Sequence, residues 1–232
     1  LCATERCLAN LWRFTSTLAL IMTWSLNPSW TSAAYMRSAK SAHCARACAG
    51  SVQVVSRDGG ILVDSSQNRE LLQVYPARPS RDGDGVKINR IAGESFNKVL
   101  DPYLMIDEIN SDAASDYMGG FPEHPHRGFE TITYMKAGRM RHRDHMGNEG
   151  VIGPGDVQWM TAGRGVLHSE MPEQDAGLMH GFQIWLNLPS TDKLKPAAYR
   201  DIRSDEIARH CGAGSQIRVI AGTITVGEVV LN

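Results

Sequence analysis

Between residues 86 and 188 the chain sustains no helical period and breaks instead into short runs of β-branched and aromatic residues cut by Gly, Pro and Asn. Val86, Ile88 and Ile91 mark the first run, and Tyr103 to Ile106 follows the Asp101-Pro102 break. Phe129 to Met135, Gly138 to His142, Val157 to Thr161, Val166 to His168 and Gly181 to Leu188 continue the series. Strands this short bury their apolar faces by packing sheet on sheet or by closing into a barrel, which predicts an all-β fold. The 22 Gly and 10 Pro supply its turns. Ser204 to His210 is the best helical candidate, and Ile217 to Ile220 with Thr223 to Leu231 read as a hairpin. A lone hairpin is marginal in water, so residues 206–232 are expected to open a further, truncated domain.

The first part of the chain has a different character. No acidic residue lies between Glu5 and Asp58, while Arg6, Arg13, Arg37, Lys40, Arg46 and Arg57 are interspersed with serines, the composition of an organellar transit peptide. The apolar run from Phe14 to Leu26 is too short for a membrane span. A signal-peptide core and non-native coding sequence are the competing readings, and residues 1–75 are expected to be a disordered or partly helical leader. Cys2, Cys7, Cys44 and Cys48 all fall there, leaving only Cys211 beyond it, so no disulfide framework or Cys-based zinc site spans the body, which suits a reducing compartment. With 24 Lys+Arg against 25 Asp+Glu the net charge is −1, which argues against a basic nucleic-acid clamp or a polybasic membrane anchor.

Six of the eight histidines lie between residues 124 and 180. In a β-rich stretch this concentration calls for a metal. His124-Pro125-His126 sets two imidazoles on one face of a strand, and His168-Ser169-Glu170 repeats the spacing with an imidazole and a carboxylate. Two such strands can close three imidazoles and one carboxylate around a divalent ion with positions left open. That donor set suits Fe(II), and also Mn, Ni, Cu or Zn. Its formal charge favours an anionic ligand such as a deprotonated enol. His142 and His145, in a charged Arg-His-Arg-Asp-His segment, read as solvated turn residues, and His180 as a pocket-lining candidate. Phe121, Trp159, Met160 and Phe182 are candidates for the apolar wall of a substrate slot or for plain core, and Arg127 and Arg164 for anion contacts or exposed turns. No phosphate loop, nucleophile elbow or dinucleotide fingerprint occurs.

The spacing of the histidine segments, with the Gly153-Pro154-Gly155-Asp156 turn between them, resembles the two-motif signature of the cupins, small jelly-roll β-barrels with a metal in the barrel mouth. The resemblance narrows to the pirin family. The runs Phe121 to Thr131 and Gly155 to Glu170 are similar to its two defining segments, and Leu100 to Leu104 resembles its early strand. The similarity covers roughly residues 80 to 200 and implies a cupin barrel over 76–205, with 206–232 starting a second one. It further implies a single iron on His124, His126, His168 and Glu170, with Glu170 in the catalytic role. In cupins generally the carboxylate follows the His-x-His, which here would be Glu130, and strand parity alone does not exclude that residue. Two functions are implied: a quercetin 2,3-dioxygenase cleaving flavonols with O2, or a redox-responsive cofactor of a transcription factor. Both imply a monomer of the cytoplasm or nucleus, or of an organelle if the leader is a transit peptide, without direct nucleic-acid binding.

Overall fold

The computed structural model describes residues 75–212, 215–226 and 228–232, together with the earlier strands β1 (Asn10–Phe14) and β2 (Thr17–Ser25). These two segments of the expected leader are therefore extended rather than helical. The rest of the expected leader up to residue 74, including its four cysteines, lies outside the described residues. By internal contacts the chain divides into one unit of Ala77–Glu206 and another of Leu1–Pro76 with Ile207–Asn232.

The unit of Ala77–Glu206 begins with β3 (Arg78–Asp82), β4 (Val86–Ala92), helix α1 (Glu94–Leu100) and β5 (Tyr103–Ser111). It continues with β6 (Phe121–His126), β7 (Phe129–Ala137), β8 (Met140–Asp144) and β9 (Glu149–Ile152). The last four strands are β10 (Val157–Thr161), β11 (Val166–Pro172), β12 (Met179–Asn187) and β13 (Ala198–Ile202). They form a seven-stranded sheet, β13-β10-β7-β12-β5-β4-β3, and a four-stranded sheet, β6-β11-β8-β9. Every pairing in both is antiparallel. Val86, Ile88, Ile109 and Met179 of the long sheet pack with Met140 and Ile152 of the short one in a single buried cluster, so the two sheets close the expected jelly-roll barrel.

Most of the expected strands run longer than the apolar pattern suggested, because the alternating positions at their ends are polar. The helix α1 was not anticipated. It buries Phe96 and Leu100, four residues apart on one face, against β4 and β5, but seven residues are too few to show a period in sequence. Pro122 and Pro125 are tolerated in β6 because it is an edge strand of its sheet.

In the other unit, β14 (Ala208–Gly212) pairs with β15 (Ser215–Ala221), which pairs in turn with β2, and β16 (Ile224–Val226) pairs with β17 (Val229–Leu231). Two expectations are corrected here. Ser204 to His210 is not a helix: Asp156 accepts the Ser204 N–H at 2.8 Å and Glu206 accepts the Arg203 N–H at 2.9 Å, fixing a turn, and β14 takes the remaining residues. The single C-terminal hairpin is also replaced, because β15 takes β14 and β2 as partners and the hairpin forms within Ile224–Leu231.

Gly163, between β10 and β11, has φ +51°, and a Cβ there would lie 2.2 Å from the Lys195 carbonyl oxygen. Gly147 also has positive φ (+87°) but faces open space. Gly147→Ala is therefore expected to lose only the backbone preference, about 1 kcal/mol, whereas Gly163→Ala adds a main-chain clash and should lose about 3 kcal/mol. Urea unfolding midpoints of the two variants check this, and equal losses would show that the close approach is unimportant.

Candidate metal centre

The inward faces of three adjacent strands make a compact grid. On β11 the inward residues are Val166, His168 and Glu170, all buried. His168 pairs with His124 of β6 on one side and with Asp144 of β8 on the other, while Glu170 pairs with Phe121 and His142. A register shift lies between these rows, where Pro122 and Glu123 of β6 face the single residue Ser169. This bulge turns Phe121, His124 and His126 all inward, which plain alternation would not allow.

Among the described residues, His124, His126 and His168 form a group whose ring nitrogens lie within 4.8 Å of one another. The Nδ1 of His124 is 2.8 Å from the Pro122 carbonyl oxygen, to which it donates, leaving Nε2 as a lone pair. That Nε2 lies 3.1 Å from Nε2 of His126, a separation that two nitrogens bound about 2.1 Å from a shared ion can span. The Nε2 of His168 is buried and has no hydrogen-bond partner. A buried imidazole nitrogen without a partner is unfavourable unless a ligand meets it, so the three residues fit a metal ion.

Burial pushes the His126 imidazole down to about 4 and that of His168 down to about 3, and their neighbouring histidines add to the effect. Both are therefore neutral near neutral pH, the state that binds metal. An unfolded histidine titrates near 6.5, so below about that pH the unfolded chain takes up more protons than the folded one. Stability of the metal-free protein is expected to be full above about pH 6.5 and to decline as pH falls toward about 3, the His126 share being lost by about 4. Denaturant midpoints between these limits check the sign, and a flat profile would contradict it.

His142 departs from expectation. It is fully buried, not solvated, because on β8 it shares parity with Met140 while Arg141 and Arg143 face outward. Its Nδ1 lies 3.3 Å from Nδ1 of His168, its Nε2 lies 3.5 Å from Oδ2 of Asp144, and its ring stacks on Tyr199 at 4.5 Å. His145 is exposed in the turn, as expected, and its Nδ1 accepts the Leu167 N–H.

The two candidate carboxylates separate clearly. Glu170 points into the barrel, where the Thr133 hydroxyl lies 3.0 Å from its Oε1 and the Gln183 amide donates to its Oε2 at 2.9 Å. It stands outside the compact histidine group while sharing the inward row with His168. Glu130 pairs in register with Thr161 and accepts from Thr161, Trp159 and Lys195, on the face of β7 opposite Thr133. It therefore ties strands together and does not approach the histidines.

The expected apolar wall is only partly assembled. Phe121 borders a small cavity of about 20 Å³ beside Glu170, with Thr133 and Gln183. Phe182 borders it too, although its register partners Tyr134 and Glu108 set its side chain on the face opposite Gln183. Met160 is buried with Ala162 and Val166 as core. Trp159 is corrected: it pairs with Ile132, on the outer face, and its indole donates to Glu130. The aromatic rings at the site are instead Trp185 and Phe129, 5.2 Å and 5.0 Å from His126 by ring centroids. His180 meets Glu108 at 3.0 Å and is not among the residues bordering the cavity. Arg127 and Arg164 are exposed, in keeping with turn residues.

A jelly-roll barrel with inward imidazoles from two neighbouring strands, grouped so that they could hold a metal ion, defines a cupin-type fold, and the comparisons place it further. The Pirin family model matches residues 85–186. That segment is a pirin domain. A pirin-like protein of Caulobacter vibrioides is 50% identical over 160 residues, covering 68% of this chain and 58% of its own length. Pirin of Homo sapiens is 44% identical over 149 residues, covering 63% of this chain and 49% of its own. The crystal structure of a quercetin 2,3-dioxygenase from Acinetobacter baumannii matches at 33% identity with TM-score 0.56, over 67% of this chain and 55% of that one. The chain thus spans about half the length of the curated relatives it matches.

Proposed function

We propose that this pirin-domain cupin is a metal-dependent dioxygenase, with Fe(II) held by His124, His126 and His168 and joined by Glu170, acting on a flavonol or a related small phenol. The observation that carries the reading is the buried, unpartnered Nε2 of His168 within hydrogen-bonding range of no protein group, beside two further imidazole nitrogens. The likeness to a solved quercetin 2,3-dioxygenase supports the choice of substrate class. When bound, such an ion supplies Lewis acidity toward a phenolic oxygen and a redox partner for O2.

The chain's own residues do the rest. Glu170, aimed inward and steadied by Thr133 and Gln183, is placed to accept the proton of a phenolic hydroxyl. The cavity beside it, about 20 Å³, has room for about one water and not for a flavonol. The ring system is therefore assigned to the faces of Phe129 and Trp185, which flank His126, with only a hydroxyl reaching toward Glu170. These aromatic faces also keep bulk water from the reacting oxygen. Overall, both atoms of O2 join the flavonol and one carbon leaves as carbon monoxide. Iron-loaded protein incubated with quercetin in air tests the reading through loss of flavonol absorbance and release of carbon monoxide. Full iron occupancy without turnover would remove the dioxygenase step.

A further inference from the structure

We infer that His142, backed by Asp144 and Tyr199, is a positioning residue that fixes the tautomer and ring plane of His168 and so sets how tightly the ion is held. The inference rests on the metal reading above and concerns residues one shell further out. His142 was not expected in the interior, yet it is fully buried between His168, Asp144 and Tyr199.

The hydrogen-bonding logic admits one consistent assignment. Asp144 accepts the Met146 N–H at 2.9 Å, the Asn148 N–H at 3.0 Å and the Asn148 side-chain amide at 2.7 Å. These donors, working against the desolvation of burial, hold its carboxyl below the usual carboxylate range, so it faces His142 as an acceptor. His142 must then carry its proton on Nε2, which leaves Nδ1 as a lone pair. That lone pair accepts from Nδ1 of His168, and the proton is thereby kept off Nε2 of His168, the atom aimed at the ion. The opposite assignment would set a bare His142 Nε2 against a carboxylate and leave a buried His168 N–H without an acceptor. At 3.3 and 3.5 Å both contacts are weak singly, so their effect is orientation more than stability.

The ring plane is fixed from the other side. Tyr199 stacks on His142 at an interplanar angle of 25°, and its own hydroxyl donates to Asp201 at 2.7 Å and accepts from Gln158 at 2.9 Å. Gly150 allows this packing, since a Cβ there would lie 2.4 Å from the Tyr199 hydroxyl. The chain of contacts therefore runs from the β8–β9 turn through Asp144 and the fully buried His142 to the candidate ligand.

The test uses the full chain and Co(II) as the probe. Chelator competition gives the affinity, visible absorption of the bound Co(II) reports the ligand field, and a melting curve of the metal-free form reports the fold. His142→Ala is expected to weaken Co(II) binding by about 10- to 100-fold and to shift the absorption bands. His142→Asn, whose side-chain oxygen can still accept from His168, should recover much of both. Asp144→Asn should weaken binding in the same direction. A folded His142→Ala protein with the affinity and bands of the parent overturns the inference, as does His142→Asn doing no better than His142→Ala. Should His142→Ala fail to fold, Asp144→Asn decides: weaker binding with altered bands supports the role, and unchanged values overturn it. A parent protein that takes up no Co(II), or His168→Ala binding as tightly as the parent, would instead remove the metal reading itself.

Discussion

A His168→Ala variant is expected to retain almost no metal under loading conditions that give the parent one ion per chain. The imidazole lost is the most buried of the three, and among them it carries the buried nitrogen that has no hydrogen-bond partner. Removing a ligand should exceed the penalty for removing an outer contact, so the affinity should fall by more than about 100-fold. His145→Ala is the matched control. That histidine sits exposed in the β8–β9 turn near the same strands, and its loss should leave the metal content unchanged. Elemental analysis of the three proteins after identical loading reads the result. Equal metal in all of them would mean that the ion, if held, is held elsewhere.

The second large effect falls on Glu170. With this carboxylate replaced by the amide in Glu170→Gln, the three imidazoles still hold the ion, but the group assigned to take the phenolic proton is gone. Turnover per bound metal should fall by about 10²- to 10⁴-fold, mostly in kcat. Glu130→Gln makes the contrast sharp. Glu130 ties Thr161, Trp159 and Lys195 together away from the histidines, so its replacement should lower the melting temperature and leave the metal content and turnover per metal near parental values. Steady-state kinetics on metal-normalised protein separates the two. The reverse pattern, with Glu130→Gln inactive and Glu170→Gln active, would transfer the proton-accepting role to the earlier glutamate.

Much of this was legible in the residues, and the misses have identifiable causes. Val157 to Thr161 forms a strand with the expected bounds because turn residues flank it closely. His124, His126 and His168 converge as their spacing suggested, although the bulge at Pro122 and Glu123, which also turns Phe121 inward, left no sign in the pattern. The misreading of His142 came from weighing its charged neighbours. The informative signal was parity, since Met140 and His142 alternate with Arg141 and Arg143 along β8. Trp159 failed for the related reason that adjacent residues on a strand face opposite ways, and only the register with β7 shows that Met160 is the inward one. Trp185 could have been found by the same rule, being two residues from the inward Gln183. Helix α1 and the turn at Ser204 lie beyond such rules, because tertiary contacts outweigh weak local preference in segments this short.

The central claim is that one ion binds between the ring nitrogens of three particular histidines. Anomalous diffraction from crystals of the iron-loaded protein, recorded on both sides of the iron edge, addresses it directly. The account predicts one strong anomalous peak at bonding distance from the Nε2 atoms of His124, His126 and His168. A fully loaded protein with its peak at other residues, or with none between these three, would contradict it.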